Sequence, residues 1–463
     1  MSLASDVARA PGDREALARL AADAVARARR AGADEAEALI EHTHAFTVRV
    51  HGGAIESLKQ SGTLGLGLRV IAGRRVGFVS GNDLRPESLD DLAAHAVALS
   101  RYATADEANA LPTPDEAGTG DAPDLELDDP AIAALAPERR IEMALTLERV
   151  ALAADPRIHR TDGAHVSTHF GDAALANSHG VARAWGASAI RAYVVPLADD
   201  RDGKQQSGAY GMVQRQLRDL ADLEAIAREA ARRAVARIGA RPVPTARVPV
   251  VLHPDVAGAW IAEMHAAFGG DQHLKGTSWL LGRVGSRIGS ELFTLVDDGR
   301  MAKGAGSEPW DGEGVATRRN VLVDRGRMAM LLYDTYHAHR AGARSTGSAV
   351  RSYAGVPFIG PHTLYVAAGT DSPEAILSRV DRGFYMDDQG SYGFDDVTGD
   401  YSYQAQGFWV ERGEKRFPVE GVTVASNSLD MLDRIVAVGS DLEFESSIAS
   451  PTLLIGEMTI SGS

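Results

Sequence analysis

The sequence contains no cysteine among its 463 residues. Without a thiol the chain can form no disulfide, thiolate zinc site, iron–sulfur cluster or cysteine nucleophile, and nothing indicates an oxidising compartment. No segment approaches the roughly 20 consecutive apolar residues that span a bilayer, and the first residues lack the basic and apolar stretches of a secretory signal. These absences predict a cytoplasmic protein that is neither secreted nor membrane-spanning.

Basic residues are also fewer than acidic ones. The chain has 48 Lys and Arg against 63 Asp and Glu, a formal net charge of -15. Such a balance repels phosphate backbones and anionic lipid surfaces, so we expect neither nucleic acid nor a membrane as a partner. Hydrophobic residues make up 44% of the sequence, which is enough for large cores, and the length favours two or three domains.

The first part of the chain alternates helical and strand patterns. Apolar residues recur at helical spacing over 13–31, alternate with polar residues over 46–50 and 64–68, and return to helical spacing over 89–97. The segment 104–129 is acidic, rich in Pro, Gly and Ala, and without a sustained period. It predicts a solvated linker that closes a helix/antiparallel-sheet domain.

The remaining sequence divides into two further domains. A middle segment has helical patterns at both ends with strand-like stretches between them, and Pro242 and Pro244 interrupt its last helix. A third segment has one clear helix over 255–268 and then mostly short strands with glycine-bearing turns. We therefore predict an α+β fold with an N-terminal helix/antiparallel-sheet domain, a middle α+β domain and a largely antiparallel β domain, at 1–110, 120–240 and 245–463.

The helix over 255–268 carries the first chemical signal, because Glu263 and His265 stand near a strand-to-helix junction. A zinc-hydrolase helix needs two histidines about one turn apart and a glutamate beside the first. Here the next imidazole is His273, beyond a glycine pair. A structural role is therefore the more common explanation, while an unorthodox catalytic site using Glu263, His265 and His273 stays open.

Other motifs are incomplete or ambiguous. His337 and His339 would share a face on a strand but diverge on a helix, and no third ligand is implied. No nucleophile elbow, dinucleotide fingerprint or P-loop is present. The cluster around Asp311 and Glu313 is dense in acids and glycines, and either a tight turn with capped backbone donors or a ligand-orienting site would account for it.

Several ordered motifs together resemble the TldD/PmbA family, specifically its PmbA (TldE) branch. The likeness covers nearly the whole chain. In the first two domains it rests on GTLGLGLRV at 62–70 and NSHG at 177–180. In the third domain the resembling motifs are GSEPWDGEGVATRR at 306–319, STG at 345–347, VTGDYS at 397–402, GFWVERG at 407–413, PVE at 418–420 and IVAVGSD at 435–441.

The resemblance implies a cytosolic protease assembly in which a TldD-type subunit holds zinc through a His-Glu-x-x-x-His helix and a later cysteine. In this chain the two histidine positions correspond to Ala262 and Ala267, the glutamate position to Glu263, and the cysteine loop to 442–450, which has no cysteine. The resemblance therefore implies no metal in this subunit, with zinc in a TldD-like partner. Glu263 and His265 would then be vestigial catalytic residues.

The resulting hypothesis is a PmbA-like subunit that pairs with a TldD-like metalloprotease and helps to degrade or process unfolded peptides. Asp311, Glu313 and Tyr403 are its candidate substrate-binding residues, although the bulkier stretch at 403–406 departs from the branch pattern. Free edges of antiparallel sheets would suit peptide binding by strand addition. Two alternatives remain: an autonomous metallopeptidase with an unorthodox metal site, and a non-enzymatic peptide-binding or chaperone homodimer.

Overall fold

The structure, a computed structural model, describes residues 13–118, 123–390 and 393–462. Helices pack against mostly antiparallel sheets, which confirms the predicted α+β class. No helix in these ranges has the length and apolar character needed to cross a membrane.

The first predicted domain follows the sequence pattern closely. Helix α1 (Arg14–Arg30) begins at Asp13, whose carboxylate accepts a hydrogen bond from Ala16 N. Such a cap satisfies one of the backbone donors that the first turn leaves unpaired. The other elements are β1 (Glu35–His51), β2 (Ala54–Ala72), β3 (Arg75–Gly81) and α2 (Pro86–Ser100).

The middle segment contributes short helices, long strands and two packed helices. Its elements are α3 (Pro114–Ala117), α4 (Pro130–Ala133), α5 (Pro137–Ala153), β4 (Ile158–Asn177), β5 (Ala182–Asp199), β6 (Gln205–Ser207), β7 (Tyr210–Gln214) and α6 (Leu223–Ala236). Single 3₁₀ turns follow β5 and β7, at Arg201–Gly203 and Leu217–Asp219.

One antiparallel sheet joins these two segments. Its order is β3-β2-β1-β4-β5-β6, and β7 also pairs with β5. The pairing of β1 with β4 runs from Glu37↔Asn177 to Val50↔Ala164. The sequence boundary between the first and middle domains is therefore bridged by backbone hydrogen bonds in the middle of a single sheet.

All four long helices of this part lie on the same face of that sheet. Even-numbered apolar residues of β1 pack under α1 and α2 at one end and under α5 and α6 at the other, with Ile40 in the first core and Val48 in the second. Along β4 and β5 buried residues alternate with exposed or half-buried ones, such as exposed His169 and Arg191. On the opposite face, the end that carries Glu37 and Arg69 packs against the third domain, while the end that carries His169 and Arg191 is more open.

The third domain starts with β8 (Ala246–Leu252) and α7 (Pro254–Met264), which continues as a 3₁₀ turn over His265–Phe268. The predicted helix 255–268 is therefore α-helical only to Met264. The later elements are α8 (Gly270–Lys275), β9 (Leu295–Asp298), β10 (Arg319–Asp324), β11 (Arg327–Met328), α9 (Thr335–Ala341), β12 (Ala349–Val350), β13 (Phe358–Ile359), β14 (Leu364–Val366), α10 (Pro373–Ser378), β15 (Arg382–Gln389), β16 (Asp400–Glu411), β17 (Glu414–Asn427), α11 (Ser428–Asp433), β18 (Ile435–Val438), β19 (Ile448–Ala449) and β20 (Leu453–Ser461).

The main sheet of the third domain closes on itself. Its order is β17-β16-β15-β8-β20-β18, and β17 also pairs with β20. The expectation of free strand edges in this domain therefore needs correction, because closure leaves few unpaired backbone groups. A second sheet, β11-β10-β9-β14-β19, shares the largest apolar core with it.

The predicted linker at 104–129 is not simply solvated. Residues 119–122 lie outside the described ranges, but Leu111, Ala117, Leu125 and Leu127 are buried. The carbonyl of Ala117 accepts a hydrogen bond from Ala316 N of the third domain. The prediction was wrong for these residues because isolated apolar positions show no periodicity, although tertiary packing uses them.

Candidate functional site

A cavity of about 780 Å³ lies where the shared sheet meets the third domain. Strands β5 and β7 form one wall, α7 forms a second, and the loop that enters β19 forms a third. Arg191 and Tyr193 reach it from the open face of the sheet. The cavity is thus built from parts of the chain that are far apart in sequence.

Small residues of α7 make the room for this cavity. Gly258, Ala259 and Ala262 line it, while Trp260 and Ile261 are fully buried in the core on the other side of the helix. Positions four apart lie on the same helical face. The local pattern of small and large residues therefore decides which side of α7 is packed and which side leaves space.

The wall beside the start of α7 carries an ion-pair network. Arg233 donates to Asp255 Oδ2 at 2.7 Å and to Glu229 Oε1 at 2.9 Å. Burial by itself would raise the pKa of Asp255, but His253 and Arg233 outweigh it and hold that pKa well below its usual range. Asp255 is therefore an ionised, half-exposed carboxylate that is paired with Arg233 at neutral pH.

The loop over 442–450 is fastened to β7 across the cavity. The Tyr210 hydroxyl donates to Glu445 Oε1 at 2.6 Å, and Val213 N donates to the Glu445 carbonyl at 3.1 Å. Burial and the neighbouring carboxylate raise the pKa of Tyr210, and burial raises the pKa of Glu445. The contact therefore holds the loop in place through a neutral phenol and a partly buried acid.

The structure brings together two positions that the family resemblance assigned to metal ligands. Ala262 and residues of the loop, including Ser446 and Ser450, line the same cavity. Ala267 is buried and is not among its lining residues; its carbonyl lies 2.9 Å from His273 Nε2. Ala262 offers a methyl group and the serines offer hydroxyls, which are poor zinc ligands compared with imidazole and thiolate.

The residues that surround the cavity do not fit a zinc ion. Within the described ranges, no group of three or more His, Cys, Asp or Glu side chains is arranged to hold a metal. Two of the acids that line the cavity, Asp255 and Glu445, already have other partners. That this chain binds no zinc in solution stays a prediction, which elemental analysis can test.

Glu263 and His265, the predicted catalytic residues, are not lining residues of the cavity. Glu263 Oε1 accepts a hydrogen bond from the Tyr403 hydroxyl at 3.2 Å, and His265 Nδ1 lies 2.5 Å from the Ala262 carbonyl. Tyr403 itself is only 2% exposed. The prediction that Tyr403 contacts substrate therefore needs correction, because its ring is packed in the core beneath α7.

Asp311 and Glu313 are buried as well. Asp311 accepts backbone hydrogen bonds from Glu313, Val315 and Ala349, while Glu313 pairs with Arg69 of the first domain. Their relative exposures are 0% and 1%, so peptide cannot reach them in this structure. We correct their predicted substrate-binding role: Asp311 stabilises a turn, and Glu313 joins two domains.

His337 and His339 lie on α9, where they diverge. His337 Nδ1 is 2.8 Å from Asp334 Oδ1 at the start of the helix. His339 Nε2 is 3.1 Å from Glu116 Oε1, in the segment that was predicted to be a linker. Neither lines the cavity. Each imidazole therefore has a local structural contact.

Sequence reasoning missed most of the polar residues that surround the cavity. Tyr210, Arg233 and Asp255 belong to no recognisable motif, and Glu445 drew notice only as part of the loop in the family resemblance. Their partners are set by the tertiary fold. The local sequence feature that could have indicated the cavity is the set of small residues at 257–259 and 262, on a helix that is otherwise rich in apolar residues.

Models of one known family match three successive parts of the chain. The model described as PmbA/TldA metallopeptidase C-terminal domain matches residues 245–462, the central-domain model matches 130–238, and the domain 1 model matches 36–100. A relative named Metalloprotease PmbA, from Escherichia coli O157:H7, is 31% identical over 429 residues, covering 93% of this chain and 92% of that protein. The chain belongs to the PmbA/TldD metallopeptidase family.

Solved structures show the same fold. A protein from Bacteroides thetaiotaomicron, described as a candidate modulator of DNA gyrase, superposes with a TM-score of 0.88 at 25% identity, over 96% of this chain and 98% of that one. TldE from Thermococcus kodakarensis superposes with a TM-score of 0.86 at 22% identity, over 96% of this chain and all of that one (100%). The second likeness is evidence for the fold alone.

Proposed function

We propose that this chain is the subunit without zinc in a cytoplasmic, TldD-type metalloprotease assembly, and that its cavity forms part of the chamber in which unfolded peptides are processed. The observation that carries the proposal is the position of Ala262 and the loop 442–450 on one cavity. Positions that resemble the ligand positions of a zinc-bearing relative meet here, but they carry a methyl group, acids, serines and apolar residues. The zinc and the hydrolytic water would then come from a TldD-like partner.

The cavity has the size and lining expected of a peptide-holding wall. Its volume of about 780 Å³ falls within the usual range of ligand pockets, and a peptide segment of a few residues would fill it. Arg191 and Tyr193 connect it to the open face of the sheet, which presents alternating polar side chains. Polar side chains on this face could hydrogen-bond to the backbone of a peptide, and contacts to the backbone depend little on the peptide's sequence.

The proposal is tested by measuring metal content and peptide cleavage together. The chain is purified alone and co-purified with a TldD-like protein from the same cell, and zinc is measured by elemental analysis. We expect no stoichiometric zinc in the isolated chain and one ion per pair in the complex. Zinc in the isolated chain would contradict the proposal, and His265 would then be the residue to mutate.

A second measurement tests whether this subunit contributes to the reaction. The TldD-like partner is assayed against an unfolded peptide with and without this chain. We expect cleavage to require both subunits, since the chamber is complete only in the pair. If the partner alone cleaved the peptide equally well, this chain would not contribute to the reaction. Its function would then be peptide binding without catalysis, as in the alternative of a homodimeric binder.

A further inference from the structure

The outer half of β2 is a strand edge that no other described strand covers. Strand β3 pairs with β2 only from Leu66 to Ala72, and the side chain of Asn82 donates to the Leu64 carbonyl at 2.9 Å. From Ala54 to Gly62 every residue of β2 is exposed, on both faces of the sheet. An uncovered edge of this kind presents a row of backbone donors and acceptors to another chain.

This edge is held rigid at its tip. The carboxylate of Glu148 on α5 accepts hydrogen bonds from Gly52 N at 2.9 Å and Gly53 N at 2.7 Å, in the turn between β1 and β2. Thr161 donates to the same carboxylate at 2.7 Å. Because the hairpin is fixed in the free chain, pairing with a further strand would cost little ordering entropy.

Two apolar side chains stand beside the unpaired backbone. Ile55 is 47% exposed and Leu58 is 44% exposed, and they pair with Val50 and Val48 of β1 on the helix-bearing face of the sheet. The strand has limited protection against pairing, namely Lys59 and a bulge at Glu56, and no proline. Exposed edges usually carry more of such devices when they must stay unpaired.

From these observations we infer that the β2 edge is a docking surface for a second copy of this chain, whose own β2 adds antiparallel across a twofold axis. A twofold axis perpendicular to the sheet leaves each side chain on the same face of the sheet. Because directly opposed residues of antiparallel strands share a face, the axis must coincide with one residue and cannot fall between two. An axis at Leu58 places Leu58 against its counterpart, Ser57 against Lys59, and Gln60 against Glu56. This register buries an apolar pair and sets no like charges opposite each other.

The neighbouring registers are less favourable. An axis at Glu56 or at Lys59 would set two like charges directly opposite each other, which is destabilising across strands. An axis at Ser57 would set Leu58 against Glu56. Of the registers centred on residues 56–59, only the one at Leu58 opposes two apolar side chains and sets no like charges opposite each other.

A peptide substrate is a less suitable occupant than a second copy. In the shared sheet β1 and β4 separate β2 from β5, the strand that reaches the cavity, so the edge lies about 14 Å to the side of the cavity wall. Pairing at β2 would instead produce one continuous sheet through two chains, with a cavity toward each outer end. The inference does not depend on the proposed function.

The test is the oligomeric state of the purified full chain in solution. Sedimentation velocity is run over a concentration series for the wild type, for Leu58→Lys and Ser57→Glu, and for Leu99→Lys, a control at a 49% exposed leucine on α2. A two-strand contact is small, so we expect a dimer with a dissociation constant in the micromolar range. Thermal melting checks that each variant is folded.

The variants move the equilibrium in opposite directions. Leu58→Lys sets two lysines opposite each other and should weaken the dimer at least tenfold, whereas Ser57→Glu sets a carboxylate opposite Lys59 and should tighten it about threefold. Leu99→Lys should have no effect. A wild type that is monomeric up to about 100 μM overturns the inference, as does a dimer that neither β2 variant alters. If only assembly with a TldD-like protein responds to Leu58→Lys, that protein and not a second copy is the occupant.

Discussion

Arg69 of the first domain donates from Nη2 to Oε1 of Glu313 in the third domain at 2.8 Å, and both side chains are buried. Glu37 lies beside them, 3.1 Å from Arg69 and 2.7 Å from Arg351. Four buried charges thus alternate in sign across the contact between two domains. Such a group is costly to break, because removing one member leaves another desolvated and unpaired.

Glu313→Gln should therefore lower the free energy of unfolding by about 3 kcal/mol, since buried Arg69 would lose one of the two carboxylates that it pairs with. Urea denaturation followed by tryptophan fluorescence measures the change. The control is Glu457→Gln, which removes a surface pair with Arg434 that is 43% exposed on both sides and should cost well under about 1 kcal/mol. Equal effects of the two variants would show that the buried pair has no special role.

Asp311 should make stability depend on pH near neutrality. Burial and the neighbouring Glu313 raise the pKa of Asp311 above that of an unfolded aspartate. The folded state then holds a proton that the unfolded state has released, so this group's contribution to stability decreases as the pH rises from about 4 through the raised pKa. Below that window both states are protonated and the contribution is constant.

Asp311→Asn should be less stable at every pH. The side-chain amide has only one acceptor oxygen, so it cannot accept the hydrogen bonds from the backbone N–H groups of Glu313, Val315 and Ala349 together. It should also show a flatter decline of stability between pH 5.5 and 8, by about 1 kcal/mol. Denaturant midpoints at several pH values measure both effects. An unchanged pH dependence would mean that Asp311 is ionised throughout this range.

Glu148→Ala should loosen the turn between β1 and β2 without unfolding the sheet. The variant removes acceptors for Gly52 N, Gly53 N and the Thr161 hydroxyl, which should cost about 2–3 kcal/mol. Hydrogen exchange at Gly52 and Gly53 should rise by tenfold or more. Glu142→Ala, an exposed glutamate on the same helix, is the control and should leave both amides protected.

Ala262→Trp should block the cavity. Because Ala262 lines the cavity wall on α7, a large ring there would fill space that a peptide needs. With a TldD-like partner present, we expect peptide cleavage to fall at least tenfold while subunit association is retained. Ala94→Trp, at an exposed alanine on α2, should have no effect. Full activity of Ala262→Trp would place the peptide elsewhere.

Glu263→Gln and His265→Ala should leave cleavage by the assembly within about twofold, because neither side chain lines the cavity. Glu263→Gln can still accept from the Tyr403 hydroxyl, so its effect on stability should also be small. The readout is kcat/KM for an unfolded peptide. A loss of a hundredfold or more in either variant would restore these residues to a catalytic role.

Local patterns predicted many elements well. The helical period over 13–31 correctly predicted α1. Alternation over 46–50 predicted part of β1, and its buried positions Phe46, Val48 and Val50 are those of the pattern. These features succeed because one face of a helix or strand meets the core, so the period of the element appears directly in the sequence.

Patterns failed where distant parts of the chain meet. The linker prediction missed buried Leu111 and Ala117, and the domain division missed the pairing of β1 with β4. The polar pattern at 311–313 was compatible with either a ligand site or a turn, and burial against Arg69 distinguished the two. Burial depends on what lies above a residue, and a single sequence does not contain that information.

The sequence alone determined the absence of cysteine, the acidic balance, the helical and strand periods, and the alanines at 262 and 267 where imidazoles would be needed for a zinc helix. These are properties of residue type and spacing. The tertiary structure decided that Ala262 and the loop at 442–450 share a cavity, that Asp311 and Glu313 are buried, and that the β2 edge is uncovered. Each of these depends on contacts between residues far apart in the chain, which only the packing of the whole fold sets.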